Sequence, residues 1–355
     1  MTKTIVNFSI DFVQYLDESG KTVDNLPDFA KDTHFLLASY RQMVLTRIFD
    51  AKAVALQRTG KLGTFPSSLG QEAIFVAIGK AMKAEDIYAP YYRDQGVFFQ
   101  RGIRPLNIFT YWGGDERGSS VPTSGQDFPI SVPIATQCIH GAGAAYAIKL
   151  RGEKRVVLTT LGEGGTSEGA FYEAINFAGT HQLPIVFIVN NNQWAISVPR
   201  YLQTITQTFA QKAIAAGIDS VQVDGNDFIA MYSEISRAIH HARMGKGPYL
   251  IEAKTYRLCD HTTADDAKRY VPQEEIHQAW KIEPIKRLQT YLISQNILSK
   301  EQAAEIEEDC RKEIEKEVKA YEAMIKDKPT AMFDNLYEKL PKALEEQYQE
   351  LSEKT

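Results

Sequence analysis

Two apolar segments joined by a glycine-rich loop decide the fold: residues 155–192 read RVVLTTLGEGGTSEGAFYEAINFAGTHQLPIVFIVNNN. Arg155–Leu161 is rich in β-branched residues, and Pro184–Val189 is almost wholly apolar. Short apolar runs of this kind predict strands that are buried on both faces. Because a helix is predicted between them, at about Ala170–Thr180, the two strands should be parallel with a right-handed crossover.

A further strand–helix–strand unit follows. Val221–Val223 predicts a strand, Phe228–Arg243 a helix and Tyr249–Tyr256 another strand. Upstream, apolar residues recur at near-helical spacing from about Asp32 to Thr59, and a short strand is expected within residues 10–16. The chain is therefore predicted to be an α/β protein, with an open parallel sheet and helices on both faces.

We expect three regions along the chain: an N-terminal arm at 1–30, the α/β domain at 31–272 and a helical C-terminal extension at 273–355. In the extension, one helix is predicted from Pro284 to about Ser294. A charged helix follows, and one apolar stripe runs along it. Its members are Ile306, Cys310, Ile314, Val318, Tyr321 and Ile325. The stripe is interpreted as packing against the chain's own core, with a partner subunit as the alternative.

Composition excludes several classes of protein. Of 355 residues, 44% are hydrophobic and 24% charged, which is typical of a globular protein and not of a disordered one. The net charge of −5 gives no basic surface for nucleic acid. No apolar run approaches the roughly 20 residues that cross a bilayer.

The cysteines and the N-terminus bear on the compartment. Three widely spaced cysteines argue against a disulfide framework or a zinc site. The N-terminal residues lack both an apolar signal core and an Arg-rich transit pattern. We therefore expect a cytoplasmic protein.

Polar residues follow two neighbouring predicted strands: Gly162-Glu163-Gly164 after the first and Asn190-Asn191-Asn192 after the second. Ligands of open α/β sheets bind beyond the carboxyl ends of the strands. The glycines would let backbone N–H groups approach an anion such as a phosphate. A carboxylate facing phosphates is repulsive unless a cation lies between them, and Mg²⁺ takes oxygen ligands of this kind.

Two other interpretations of this stretch remain. A Gly-Glu-Gly sequence taken alone is most often only a turn. A dinucleotide-binding fingerprint needs a glycine where this chain has Ser167, and an acidic residue where it has the three asparagines. An NAD-dependent dehydrogenase is therefore disfavoured.

Gly162-Glu163-Gly164 followed by Asn191-Asn192 resembles the thiamin diphosphate motif, in which Gly-Asp-Gly precedes a paired Asn. The wider stretch 162–199 is similar to the alpha subunit of heterotetrameric 2-oxoacid dehydrogenases, and the likeness extends from about residue 35 to 345. This resemblance implies the thiamin diphosphate-binding fold and oxidative decarboxylation of a 2-oxoacid, with transfer of the acyl group to a lipoyl group.

The resemblance also implies roles for individual residues. Glu163, Asn192 and the backbone carbonyl of Trp194 match the ligands of Mg²⁺. Ser131, Pro133, Thr136 and Gln137 match a potassium-binding turn of some members. The positions that match cofactor contacts are Tyr92, Arg93, Val132, Ile134, Gly162, Glu163, Gly164, Gly165, Asn192, Trp194 and His261. His261 matches the active-site histidine, which makes it the expected catalytic residue. Thr262 stands where mammalian relatives carry a regulatory phosphoserine.

In this family a second domain supplies the acid that activates the cofactor, and no second α/β domain follows residue 272. The resemblance therefore implies a half site, completed by a beta subunit in an assembly of two alpha and two beta chains. A lipoyl-bearing dihydrolipoamide acyltransferase would accept the product. Pyruvate is the favoured substrate, branched-chain 2-oxoacids and acetoin are alternatives, and a non-catalytic scaffold is the alternative from another class.

Overall fold

The computed structural model describes residues 1–120, 126–325, 327–334 and 336–353. The strands, in chain order, are β1 (Phe12–Val13), β2 (Ile87–Ala89), β3 (Val157–Gly162), β4 (Ile185–Asn191), β5 (Trp194–Ala195), β6 (Val198–Pro199), β7 (Asp219–Asp224) and β8 (Tyr249–Lys254). Six of them form one parallel sheet in the order β1-β7-β8-β4-β3-β2, and β5 and β6 form a small antiparallel pair.

The helices surround this sheet. In chain order they are α1 (Thr33–Arg58), α2 (Glu72–Ala81), α3 (Gln95–Gln100), α4 (Pro105–Trp112), α5 (Thr136–Leu150), α6 (Gly169–Thr180), α7 (Arg200–Gln203), α8 (Phe228–Arg243), α9 (Gln273–Lys281), α10 (Pro284–Ser294), α11 (Lys300–Glu322), α12 (Ala331–Asp334) and α13 (Lys342–Ser352). Short 3₁₀ helices include Glu163–Ser167 and Ala210–Ala216. In the described part of the chain, no helix is both long and apolar enough to span a membrane.

Alternation along β4 shows why the sheet is covered on both faces. Val186 and Ile188 belong to one buried cluster, shared with α1, α2 and α8. Ile185, Phe187 and Val189 belong to the other, shared with α5 and α6. Because successive side chains of a strand point to opposite faces, a continuous apolar run serves two cores. The predicted α/β fold with helices on both faces is confirmed.

Helix bounds follow from capping residues. Asp227 caps α8 through its carboxylate, which accepts from the backbone N–H groups of Ile229 and Ala230. Pro284 occupies the first turn of α10, and Glu283 caps it. These caps explain why both helices begin at the predicted residues, and both also end where they were predicted to end.

Other expectations need correction. The strand expected within residues 10–16 is reduced to Phe12–Val13, at the edge beside β7. The strand expected to reach Tyr256 ends at Lys254. The sequence-based interpretation assigned no helix to residues 136–150, where α5 lies. The helix packs closely against β3 and α6, where small side chains are sufficient. Its many glycines and alanines therefore produce only a weak helical period of apolar residues in the sequence.

Helix α11 of the C-terminal extension packs on the chain's own core, as the sequence analysis favoured. Cys310, Ile314 and Val318 are buried in the same cluster as α1. Ile325 is an exception, because it lies beyond the end of the helix and is 86% exposed. The cysteines are unpaired, as predicted. The boundaries of the three predicted regions remain a prediction.

Candidate functional site

A pocket of about 210 Å³ lies at the carboxyl ends of β3 and β4. Gly162 lies opposite Asn190 in the parallel pairing, so the loop after β3 and the residues after β4 meet there. Most residues that were predicted to contact a cofactor line this pocket. They are Tyr92, Arg93, Ile134, Gly162, Glu163, Gly164, Gly165, Asn192, Trp194 and His261. Val132 does not line it, and its side chain is half exposed.

The Glu163 carboxylate is buried beside Asn192 with only long hydrogen bonds. Its two oxygens accept from the backbone N–H of Asn192 at 3.3 Å and from Nε2 of Gln203 at 3.4 Å. In the described part of the chain it forms no ion pair. Burial raises the pKa of Glu163 above its ordinary value. A buried carboxylate with such weak partners is suited to a cation.

The surroundings of Glu163 fit magnesium better than a softer metal. Among the described residues there is no group of three or more His, Cys, Asp or Glu side chains that could enclose a metal ion. One carboxylate with amide and carbonyl oxygens is the kind of donor set that Mg²⁺ uses when it is shared with phosphates. Within the described ranges, the one donor to Oδ1 of Asn192 is the backbone N–H of Trp194, at 3.4 Å, so this oxygen retains acceptor capacity.

Strand alternation gives the three asparagines different roles. Asn191 points to one face, where its Nδ2 donates to Glu252 at 2.7 Å. Asn190 and Asn192 point to the other face, and both donate from Nδ2 to Oε1 of Gln71, at 2.6 and 3.3 Å. Since Gln71 accepts from the nitrogen of the Asn192 amide, the amide oxygen is directed away from Gln71, where the long hydrogen bond from Trp194 leaves one of its lone pairs available.

Arg93 and His261 lie together in the pocket lining, where they supply a guanidinium group and an imidazole ring. Arg93 is 1% exposed, and its guanidinium donates to the backbone oxygens of Ser67 and His261. Nδ1 of His261 lies 3.3 Å from Arg93 Nη2 and 3.4 Å from Arg257 Nη1. Because both neighbours can only donate, Nδ1 accepts and the ring proton resides on Nε2. Burial, with the charges of both arginines, lowers the pKa of His261 to about 3, so the ring is neutral near pH 7.

Arg257 joins the loop of His261 to the residues after β4. Its Nη1 donates to the carbonyl of Trp194 at 3.0 Å and its Nη2 to the carbonyl of Ile196 at 2.9 Å. It also donates to the hydroxyl of Tyr270 at 3.0 Å. The Trp194 carbonyl is a predicted metal ligand, and its second lone pair stays available beside this hydrogen bond.

The backbone comes very close to itself at the glycine loop. A Cβ on Gly164 would lie 2.6 Å from the Cβ of Ala195 in β5, whereas a Cβ on Gly162 would meet nothing within 4 Å. Gln193 and Ile196 both have positive φ, at 75° and 53°. A β-branched residue rarely adopts this conformation, and such strain is typical of residues that serve a site.

The four residues of the predicted potassium turn lie together. Ser131, Pro133 and Gln137 line the pocket, and Thr136 begins α5. Ser131 Oγ donates to the carbonyl of Pro133 at 3.3 Å, and Gln137 Nε2 donates to the carbonyl of Thr160 at 2.7 Å. Oε1 of Gln137 is buried and has no hydrogen-bond partner among the residues that the structure describes, so one acceptor oxygen is available for a cation.

Sequence reasoning missed Gln71, Gln203 and Arg257. Gln71 precedes α2 by one residue, and Gln203 ends the short helix α7. Neither belongs to a motif that the sequence analysis recognised. Arg257 lies four residues before His261, and this proximity to a predicted catalytic residue was the one available signal.

Comparison with known proteins shows to which family the chain belongs. The sequence profile of the dehydrogenase E1 component matches residues 40–330. The chain belongs to the dehydrogenase E1 component family. This membership agrees with the resemblance drawn from the glycine loop and the paired asparagines, and it implies thiamin diphosphate as the cofactor.

Curated relatives cover almost the whole chain. The Acholeplasma laidlawii pyruvate dehydrogenase E1 component subunit alpha is 40% identical over 340 residues, which are 94% of this chain and 97% of the relative. The proteins of the same name from Mycoplasma genitalium and Bacillus subtilis are each 38% identical. They cover 95% and 96% of this chain, and 94% and 92% of their own lengths. The predicted enzyme class is confirmed over the scaffold alternative.

Proposed function

We propose that this chain is the alpha subunit of a pyruvate dehydrogenase E1 component and holds the diphosphate end of thiamin diphosphate through Mg²⁺. The names of the relatives support the substrate class. The observation that carries the cofactor assignment is the buried carboxylate of Glu163, which has no ion-pair partner in the described chain and lies against Asn192.

Each part of the pocket has a proposed task. Glu163, Asn192 and the Trp194 carbonyl would hold the metal. Arg93 and Tyr92 would bind the diphosphate, with the backbone N–H groups of residues 162–165 and with His261. Val132 and Ile134 would pack against the cofactor rings. When bound, the cofactor supplies an electron sink for decarboxylation of a 2-oxoacid.

His261 would act near the substrate as a neutral imidazole. Its Nδ1 is occupied by two guanidinium donors, so Nε2–H is the group that can donate to a substrate or cofactor oxygen. A second proton could only go to Nδ1, so the ring would become charged only if it gave up the hydrogen bonds from both arginines. A negatively charged diphosphate that drew the guanidinium groups away would favour this, so the charge of His261 would depend on cofactor binding. This combination suits a residue that binds substrate and moves a proton.

A potassium ion at the turn of Ser131, Pro133, Thr136 and Gln137 would brace the start of α5. The unpartnered Oε1 of Gln137 supports this assignment. Titration of thermal stability with KCl, using NaCl at equal ionic strength as the control, tests it. Equal midpoints in both salts would argue against the site.

Exposed apolar side chains near the pocket support completion of the site by a beta subunit. Ile134 and Ile196 line the pocket and are 48% and 54% exposed. Val198, Tyr201 and Leu202 continue this surface along the chain and are exposed as well. Exposed apolar groups in such number are typical of a protein interface. We infer an assembly of two alpha and two beta chains that passes its acyl group to a lipoyl-bearing acyltransferase.

The test of the metal assignment is a cofactor titration of the complex with the beta chain. Thiamin diphosphate should bind in the presence of Mg²⁺ and weakly after chelation. Glu163→Ala and Asn192→Ala should each weaken Mg²⁺-dependent binding by tenfold or more. Glu173→Ala, which removes an exposed carboxylate from α6, should match the wild type. Unchanged affinity in both site variants would show that the metal ligands are elsewhere.

A substrate panel tests the acyl preference. Pyruvate should be decarboxylated with a higher kcat/KM than 2-oxoisovalerate. The reverse preference would assign the chain to the branched-chain enzymes instead.

A further inference from the structure

Lys212 is a buried lysine behind the glycine loop, and nothing above uses it. It lies in the 3₁₀ helix Ala210–Ala216 and is only 8% exposed. Its ammonium lies 5.3 Å from the ring centre of Tyr172 and 5.4 Å from that of Phe209. Among the described residues no carboxylate forms an ion pair with it. Buried ammonium groups are rare without an anionic partner, because burial removes their hydration.

Among the described residues, the side-chain hydrogen bonds of Lys212 both go to one residue of the loop. Nζ donates to the backbone oxygen of Thr166 at 2.9 Å and to its Oγ1 at 2.8 Å. The Thr166 hydroxyl in turn donates to the backbone oxygen of Glu163 at 2.7 Å. The hydroxyl therefore accepts one hydrogen bond from Lys212 and donates one to the loop, which a single hydroxyl group can do at the same time. Lys212 thus fixes two carbonyl groups of the loop, directly at Thr166 and through the hydroxyl at Glu163.

Fixing these carbonyls also fixes the amide groups on the other side of the loop. In a trans peptide the C=O and N–H groups point in opposite directions. The Glu163 carbonyl shares its peptide with the N–H of Gly164, and Gly164 lines the pocket. The ammonium and this amide therefore lie on opposite sides of the peptide chain. An anion on the amide side would experience both the N–H dipole and the buried positive charge.

We propose that Lys212 is a positioning residue for the diphosphate, which holds the 163–167 loop in its anion-binding conformation and places an uncompensated positive charge behind it. This inference rests on the proposed function, since the diphosphate is the anion in question. The cost of burying an unpaired ammonium is then offset when the anion binds. Mere structural support would not need a charge, because a methionine could fill the space between Tyr172 and Phe209.

The experiment compares Lys212→Met, Lys212→Arg and Thr166→Val in the complex with the beta chain, and Lys246→Met is the control for loss of an exposed lysine. The first measurement is hydrogen exchange without cofactor. Lys212→Met should raise exchange of residues 163–168 and leave β4 unchanged. The second is the affinity for thiamin diphosphate with Mg²⁺, which should fall about tenfold, the loss expected for one or two charge-assisted hydrogen bonds. The apparent KM for the cofactor should rise with kcat nearly unchanged at saturation.

The variants separate the possible results. Lys212→Arg should retain most of the affinity, and Thr166→Val should loosen the loop with a smaller loss of affinity, because the charge remains. Faster loop exchange with unchanged affinity would overturn the role toward the diphosphate, and no change in either measurement would overturn the whole inference. Should Lys212→Met fail to assemble, Thr166→Val carries the test, and wild-type exchange and affinity in that variant would overturn the proposal. If the wild-type complex itself bound no thiamin diphosphate, the proposed function would be wrong as well.

Discussion

At the scale of single residues, side-chain alternation decides which asparagine serves the site. Asn190 and Asn192 share one face of β4 and its extension, whereas Asn191 faces Glu252 on the other. Gln71 then selects the orientation of the Asn192 amide by accepting from its nitrogen. Amide oxygen and nitrogen differ in function but scarcely in shape, so only such a neighbour can set the orientation. The proposed metal site would consequently depend on a residue 121 positions earlier in the chain.

Gln71 can be tested by changing its acceptor. In Gln71→Leu, the Mg²⁺ concentration that half-saturates cofactor binding should rise by about 10- to 100-fold. This is the usual loss of metal affinity when a residue that orients a metal ligand is removed. Gln71→Glu keeps an acceptor at the same place and should lose less. The measurement is the Mg²⁺ concentration at half-saturation of thiamin diphosphate binding. If Gln71→Leu binds Mg²⁺ as tightly as Gln71→Glu does, the orienting role is refuted.

The glycine loop offers a matched pair of substitutions. Gly164→Ala places a Cβ 2.6 Å from the Cβ of Ala195, so either the loop or β5 must move. We expect a loss of about 1–3 kcal/mol in the free energy of unfolding, typical of overpacking. Gly162→Ala meets open space and should leave stability within about 0.5 kcal/mol of wild type. Denaturation curves measure both, and equal stability of the two variants would contradict the described loop geometry.

At the scale of elements, α11 is held by apolar side chains along one face, and Cys310, Ile314 and Val318 are among those buried in the core. Ile314 is 1% exposed against the core shared with α1. Ile314→Ala should therefore cost about 2–4 kcal/mol of stability. Ile325→Ala removes a side chain that is 86% exposed and should have almost no effect. Similar thermal midpoints for the two variants would mean that α11 does not pack as described.

The elements also show what the sequence could and could not predict. Phe228–Arg243 and Pro284–Ser294 were placed to the residue, because Asp227, Glu283 and Pro284 mark their starts by local chemistry. The site at the ends of β3 and β4 followed from two apolar runs and the residues after them. The contacts that bring Arg257 and Lys212 to the site were not predictable in this way, since the Trp194 carbonyl lies 63 residues from Arg257 and the Thr166 carbonyl lies 46 residues from Lys212. A contact between loops leaves no period in the sequence.

At the scale of the whole molecule, a layer of buried polar side chains lies between the two apolar cores, next to the pocket. Asp94 belongs to this layer. Its Oδ2 accepts from the backbone N–H of Tyr91 at 2.9 Å and from the hydroxyl of Thr160 at 2.5 Å. The Tyr91 hydroxyl accepts from Asn190, so this layer reaches the asparagines after β4. Burial raises the pKa of Asp94 to about 7. Ionisation of this buried carboxyl near neutral pH therefore destabilises the folded state.

The pH dependence of stability follows from this carboxyl. In the unfolded chain Asp94 ionises near its ordinary pKa, whereas the folded protein keeps the proton up to about pH 7. Between about pH 4 and 7 the folded state therefore binds more protons, and stability falls as the pH rises. Asp94→Asn keeps the acceptor oxygen but cannot ionise. Its stability relative to wild type should increase by on the order of a few kcal/mol from pH 5 to 8. Parallel stability curves, measured by denaturation across this range, would contradict the buried carboxyl.

If neighbouring strand ends hold a metal-tethered diphosphate, diffraction can locate the metal between them. Crystals of the complex with the beta chain would be grown with thiamin diphosphate and Mn²⁺ in place of Mg²⁺, and the anomalous signal of manganese would locate the ion. We predict a peak in contact with the carboxylate of Glu163 and Oδ1 of Asn192, with the diphosphate beside residues 162–165. A fully bound cofactor whose manganese peak lies away from both side chains would show that Glu163 and Asn192 do not hold the metal.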